Sequence, residues 1–307
     1  MHGKPEQEQL VVAAFYRFVA LPEYKSLRDP LAALCRAEGL RGTILLAAEG
    51  INGTVSGNRS GLDRMFAWLR EHPPMRDLTW KESRHPEHPF GRMKVRLKDE
   101  IVSMGVPDVR PDRRTGTHVP PGQWNELIAD PGVTVIDTRN NYEVYLGTFE
   151  GALNPATESF RDFPQFVSEH LDPERDRRIA MFCTGGIRCE KASSYLLDRG
   201  FEAVYQLDGG ILSYLEEVDA SESLWSGECF VFDDRVTVDH DLRAGDHEVC
   251  PNCRMPIGPG ERDLPEFIPH VCCVHCHGSV DEERRAALME RHRQKELAAV
   301  RAREGME

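Results

Sequence analysis

Between residues 122 and 218 short apolar runs alternate with segments of helical period, and this most limits what the chain can fold into. The runs 133–137 (VTVID), 179–182 (IAMF) and 203–207 (AVYQL) have strand length. Residues 160–171, 190–200 and 210–218 carry apolar residues at helical spacing. Strands separated by helices predict a parallel α/β sheet, because parallel neighbours need a crossover. In such a sheet ligands bind in the crevice at the carboxyl ends of the strands. The stretch CTGGIRCEK, residues 183–191, leaves the strand at 179–182 and opens the next helix, so it is predicted to lie there.

That loop has the composition of a thiolate site. Gly185 and Gly186 admit backbone angles that side chains resist. A tight turn of this kind can aim successive N–H groups inward as an anion nest, and the helix start adds its positive end. Arg188 adds a permanent charge. All three favour the thiolate, which is the nucleophilic form of cysteine. Cys183 is the candidate nucleophile and Arg188 its cation, with Thr184, Gly185, Gly186 and Ile187 as the loop between them. Four residues separate Cys183 from Arg188, a spacing that suits a persulfide sulfur better than the larger phosphate. Cys189 is either a resolving thiol for an oxidised or persulfidated Cys183 or a helix-start residue without chemistry.

Upstream, residues 10–21 read as a buried strand and 29–38 as a helix with Leu31, Leu34 and Cys35 on one face. Residues 42–57 read as two strands about a turn at Asn52-Gly53. Residues 60–71 return to helical spacing, and 91–105 read as further strand. The order β-α-β-β-α-β predicts a ferredoxin/acylphosphatase-like α+β sandwich over 1–105. Residues 106–121 hold four prolines and no apolar period, as a linker would. The expected divisions that follow are a parallel α/β domain over 122–220, a cysteine-rich, zinc-ribbon-like module over 221–280 opening with a hairpin at 225–240, and a charged helical tail over 281–307.

Basic residues number 38 against 51 acidic ones, a net charge of −13. Such a chain repels bulk nucleic acid, so any contact with it has to be local. One island qualifies. Residues 81–98 hold Lys81, Arg84, Arg92, Lys94, Arg96 and Lys98, with His85, His88 and Phe90 among them for stacking. The pairs Cys250/Cys253 and Cys273/Cys276 are C-x-x-C knuckles 19 residues apart, the spacing of a structural four-cysteine zinc site. Cys272, His275 and His277 are alternative ligands, and a redox dithiol pair is the rival reading. Nine cysteines, five of them between 250 and 276, argue for metal or thiol chemistry in a reducing compartment. No apolar run of membrane-spanning length occurs, and residues 1–12 lack a signal-peptide pattern, so a cytoplasmic protein is expected. No flavin or nicotinamide glycine fingerprint is present. His85-Pro86-Glu87 is a weak match to an iron triad. No sequence feature specifies an oligomeric state.

Residues 122–218 resemble a rhodanese domain in the loop, in a strand ending Asp137-Thr138-Arg139, in YEVYLGTFEGALNPA (142–156) and in LDGGILSYL (207–215). A longer ordered set, EGINGTVSG, HPFGRMKVRLKDEIVSMG (88–105), DTRNNYEV, CTGGIRCEKASSYL and GECFVFDDRVTVDH (227–240), resembles the tRNA uridine hydroxylase family, TrhO, over roughly residues 10–280. The resemblance implies hydroxylation of wobble uridine at C5 in tRNA, molecular oxygen as co-substrate, and a cytoplasmic setting. It places the family's loop cysteine at Cys183 and its arginine at Arg188, with Asp137 and Arg139 beside them. A sulfurtransferase carrying a Cys183 persulfide is the second reading. A phosphatase is disfavoured by loop length, and a non-catalytic tRNA-binding module is the alternative from another class.

Overall fold

The structure, a computed structural model, describes residues 10–304, so the signal-peptide reading and the last three residues of the expected tail fall outside it. The chain divides into two compact units, Met1–Val144 with Thr148–Ser226, and Tyr145–Gly147 with Gly227–Glu307.

The first unit begins with β1 (Leu10–Phe18), α1 (Tyr24–Ala37), β2 (Arg41–Ala47), β3 (Gly50–Gly57), α2 (Arg59–Glu71), β4 (Lys81–His85) and β5 (Met93–Leu97). These strands form one sheet in the order β4-β1-β3-β2-β5. Alternate residues Val11, Ala13 and Phe15 of β1, Ile44 and Leu46 of β2, and Ile51 and Val55 of β3 turn to one face. There they bury Leu27, Leu31 and Cys35 of α1 and Leu62, Met65, Phe66 and Leu69 of α2. Burial of each leucine or phenylalanine contributes about 1.5–3 kcal/mol. The other face of the sheet is left without a helix of its own domain.

Three expectations need correction. The β2–β3 turn is at Ala48-Glu49, ahead of Gly50 at φ +140°, and not at Asn52-Gly53. Gly53 lies inside β3, where a Cβ would come within 2.7 Å of the Phe15 ring, so close packing explains that glycine. The strand expected across 91–105 is confined to Met93–Leu97 and runs parallel to β2, while an unexpected strand, Lys81–His85, pairs with β1 at the opposite edge. Its sequence KESRH has no apolar period because an edge strand needs little burial. Finally, residues 106–121 are more than a linker. They contain β6 (Thr117–Val119), and Val109 is buried in the core of the second sheet.

The chain around that sheet continues with α3 (Pro121–Ile128), β7 (Thr134–Asp137), α4 (Asn141–Val144), β8 (Gly147–Phe149), α5 (Phe163–His170), β9 (Arg178–Phe182), α6 (Ile187–Asp198), β10 (Ala203–Leu207) and α7 (Gly210–Glu217). Its order is β6-β10-β9-β7, every pairing parallel. Helix α6 is buried along most of its length, polar residues included. Its Lys191 explains one of them. The ammonium, 1% exposed, donates to Glu49 Oε1 at 3.0 Å, to the Val102 carbonyl at 3.0 Å and to Glu100. Glu49 sits in the β2–β3 turn and Glu100 follows β5, so one lysine ties the N-terminal sheet to α6.

After β11 (Trp225–Gly227), the second unit has a hairpin of β12 (Cys229–Phe230) and β13 (Thr237–Val238), a second of β14 (Glu248–Val249) and β15 (Pro256–Ile257), then α8 (Pro259–Arg262) and α9 (Glu282–Glu304). Its core gathers Cys250, Ile257, Val271, Cys272, Cys273, Cys276, Val280 and Leu288. Among the described residues no helix is long and apolar enough to cross a membrane.

Removing the buried ammonium leaves two carboxylates without their partner. Lys191→Ala is expected to lower unfolding free energy in urea by about 2–4 kcal/mol, toward the low end because both carboxylates are partly exposed.

Candidate active site

Strand β9 ends at Phe182, and the chain turns through Cys183, Thr184, Gly185 and Gly186 into α6. Gly186 is left-handed at φ +93°, and its N–H donates to the Cys183 sulfur at 3.1 Å. The start of α7 closes the loop from below: the N–H groups of Ile211 and Leu212 donate to the carbonyls of Cys183 and Thr184 at 2.9 and 3.1 Å. Gly210 is required there, since a Cβ would lie 2.4 Å from the Cys183 carbonyl oxygen. Gly185 is different, because a Cβ there would meet nothing within 4 Å.

Cys183 is 1% exposed. Burial works against its ionisation, but a hydrogen bond from the Cys189 thiol, the Arg188 charge and the N–H groups of Cys189 and Arg188 more than reverse it, bringing the thiol down to about 6. Burial and the adjacent thiolate push Cys189 up well above an ordinary thiol, so it stays protonated and donates. Cys189 is fully buried, with the Thr138 hydroxyl 3.6 Å from its sulfur.

Arg188 is not a free charge. Its two terminal nitrogens reach the two oxygens of Glu143 at 2.5 and 2.7 Å, with both side chains buried. Glu143 also receives the Asn140 N–H at 3.1 Å, and the Thr184 hydroxyl lies 3.4 Å from it. Burial opposes its charge, but Arg188 keeps it below the usual carboxylate range. Nothing in the local sequence marks Glu143 as a partner of Arg188, 45 residues away. Asp137 and Arg139 pair with each other: Arg139 Nε and Nη2 donate to Asp137 at 2.9 and 2.6 Å, and both are fully buried. Thr148 donates to the same carboxylate at 2.9 Å, and the Arg139 guanidinium lies 5.0 Å from the Trp225 ring centroid. This pair braces the end of β7.

The N-terminal sheet also reaches the loop. The Tyr16 hydroxyl of β1 donates to Glu190 of α6 at 3.2 Å, and Lys81 of β4 points its ammonium at the Gly209 carbonyl, 3.5 Å away. Neither contact was visible in the sequence.

In the second unit Cys250, Cys253, Cys273 and Cys276 converge, with all four sulfurs within 4.8 Å of one another. The distances are 3.8 Å for Cys250–Cys276, 3.5 Å for Cys253–Cys273 and 3.9 Å for Cys273–Cys276. Zinc held tetrahedrally by thiolates at about 2.3 Å sets sulfurs about 3.8 Å apart, so the cluster fits that ion. Cys272, His275 and His277 are not in the cluster; His275 pairs with Glu261 at 2.7 Å. Four thiolates close the coordination, leaving no open position for catalysis. Among the described residues no other group of potential ligands converges, His85 and Glu87 included.

Residues 10–101 match the family model described as the UPF0176 acylphosphatase-like domain, and residues 121–217 match the rhodanese-like domain. This pair in this order is the architecture of the TrhO/UPF0176 family. In both segments and in their order the chain is similar to that family. Among solved structures, a rhodanese-related protein from Thermoplasma volcanium is 23% identical over 33% of this chain and 92% of its own, with a TM-score of 0.27. The rhodanese-like domain of an Anabaena sp. protein is 23% identical over 37% and 80%, TM-score 0.30. An acylphosphatase from Coxiella burnetii is 17% identical over 31% and 100%, TM-score 0.25.

The basic island is split. Lys81 and Arg84 lie on β4 at one edge of the N-terminal sheet. Lys94 and Arg96 lie on β5 at the other edge, with Arg92 before that strand and Lys98 after it. Lys94 and Arg96 share the face opposite buried Val95.

With the thiol near 6, alkylation of Cys183 by iodoacetamide is expected to be flat above neutral pH and to fall about tenfold per unit below the midpoint. Arg188→Met removes a lowering charge, so its midpoint should rise by about one unit or more. Purified protein should carry one zinc per chain by elemental analysis, and Cys253→Ser should lose the metal and melt at lower temperature without moving the Cys183 profile.

Proposed function

We propose that this protein hydroxylates uridine at C5 in the wobble position of tRNA, in the cytoplasm, with molecular oxygen as co-substrate and Cys183 as nucleophile. The observation that carries the reading is the loop thiol, lowered to about 6 inside a rhodanese-like domain that follows an acylphosphatase-like one.

The thiolate adds to C6 of the uracil ring, and the electron pair displaced from the C5–C6 bond makes C5 nucleophilic. C5 takes up dioxygen and one proton. A small-molecule thiol reductant supplies two electrons, so one oxygen atom leaves as water and the other remains on C5 as hydroxyl. Loss of the C5 proton then expels Cys183 and restores the double bond. Overall, uridine, dioxygen and two thiols give 5-hydroxyuridine, water and one disulfide. Gly186 and the α6 start stabilise the thiolate before attack and after expulsion. Arg188 and Glu143 hold the loop in shape. Arg92, Lys94, Arg96 and Lys98 at one sheet edge, with Lys81 and Arg84 at the other, are the proposed tRNA contacts. Zinc on the four cysteines would tie the second unit together and has no part in the reaction.

A second reading is favoured by the four-residue loop and by the Gly186 N–H on sulfur: Cys183 as a persulfide carrier that passes sulfur to an acceptor.

Both are tested in one preparation. Wild type and Cys183→Ala are incubated in air with wobble-uridine tRNA and a thiol reductant, and the nucleosides are analysed by mass spectrometry. New 5-hydroxyuridine with wild type alone is the expected result. Its absence, together with thiocyanate formed from thiosulfate and cyanide, would replace the hydroxylase with the sulfurtransferase.

A further inference from the structure

Gly186 is braced from another domain. Tyr16 lies on β1 of the acylphosphatase-like domain, and its hydroxyl would stand 2.8 Å from a Cβ on Gly186. The same hydroxyl donates to Glu190 Oε1 at 3.2 Å. Glu190 occupies the first turn of α6, and its own N–H donates back to the Gly186 carbonyl at 3.2 Å. One phenol oxygen thus bonds Glu190 on one side of the turn that leads from loop to helix and fills the space a Cβ would need on the other. Its acceptor is itself fixed: Glu190 lies 2.9 Å from His118 Nε2, 2.8 Å from the Thr115 hydroxyl and 3.1 Å from Gln206 Nε2. Burial opposes the charge on Glu190, but His118 foremost among these partners keeps it below the usual carboxylate range.

We propose that Tyr16 is a positioning residue of the thiol site: its hydroxyl fixes the left-handed turn at Gly186 and thereby aims the N–H that holds the Cys183 thiolate. Attachment of the N-terminal sheet does not depend on that hydroxyl, because Lys191 joins the two parts through Glu49 and Glu100. The assignment concerns the thiolate itself, so it stands whether the sulfur meets uridine or carries a persulfide.

The test uses the full chain as Tyr16→Phe, Gly186→Ala and the double variant, reading Cys183 alkylation by iodoacetamide against pH with peptide mass spectrometry. Tyr16→Phe keeps the ring and removes the oxygen. Its midpoint is expected to move up, with alkylation at pH 6 slower by about three- to tenfold and the plateau at high pH retained. Gly186→Ala drives a methyl onto the hydroxyl, whereas the Tyr16 ring carbon Cζ is 3.8 Å from that methyl. The double variant should therefore lose less than the product of the single losses, since the strain of φ +93° is common to both backgrounds. A Tyr16→Phe profile that overlays wild type, even with a lowered melting temperature, would overturn the proposal and leave Tyr16 as a packing contact. Multiplicative losses in the double variant would overturn it as well. If Gly186→Ala fails to fold, the Tyr16→Phe profile alone decides.

Discussion

Water reaches almost nothing of the Cys183 sulfur, so a negative charge there has to be held by groups of the protein. The obvious candidate, Arg188, is as buried as the thiol, and an unpaired guanidinium at that depth would itself be costly. Glu143 meets it with both oxygens, so the guanidinium that helps lower the thiol has a partner of its own. The remainder falls to oriented N–H groups and to the Cys189 thiol, which cost no counter-ion. This explains why two glycine turns, at 186 and at 209–210, stand so close to one cysteine: each brings backbone where a side chain would not fit.

The loop was legible in the sequence because its parts are contiguous: an apolar strand, two glycines, an arginine and a helix within a dozen residues. The zinc cluster was legible for the same reason, since ligand spacing within each knuckle is local and each knuckle supplies two of the four sulfurs. The partners that tune the loop were not. Glu143 reaches Arg188 across 45 residues and Tyr16 reaches Glu190 across 174, and no residue pattern announces either contact. Asp137 and Arg139, placed beside the thiol by resemblance alone, spend their charges on each other.

The N-terminal sheet shows where local signals compete with tertiary ones. Asn52-Gly53 is a strong turn dipeptide, yet Phe15 needs the space that Gly53 leaves, and the Asn52 amide is taken by the Ile101 carbonyl at 3.0 Å. The strand Lys81–His85 hid because an edge tolerates charge. The basic residues that read as one island lie close in the sequence, yet Lys81 and Arg84 are on one outermost strand and Lys94 and Arg96 on the other, since the segment after β4 crosses the sheet before β5 begins.

The placement of Tyr16 beside Gly186 also bears on what each segment would keep without the other. A rhodanese-like segment moved into a different protein would take its cysteine, its glycines and its arginine with it. It would leave behind the phenol that rests on the turn and the lysine that lies against Gly209. The acylphosphatase-like segment, moved alone, would leave the Tyr16 hydroxyl without Glu190 and Glu49 without Lys191. The working unit around the thiol is therefore drawn around both segments and not between them.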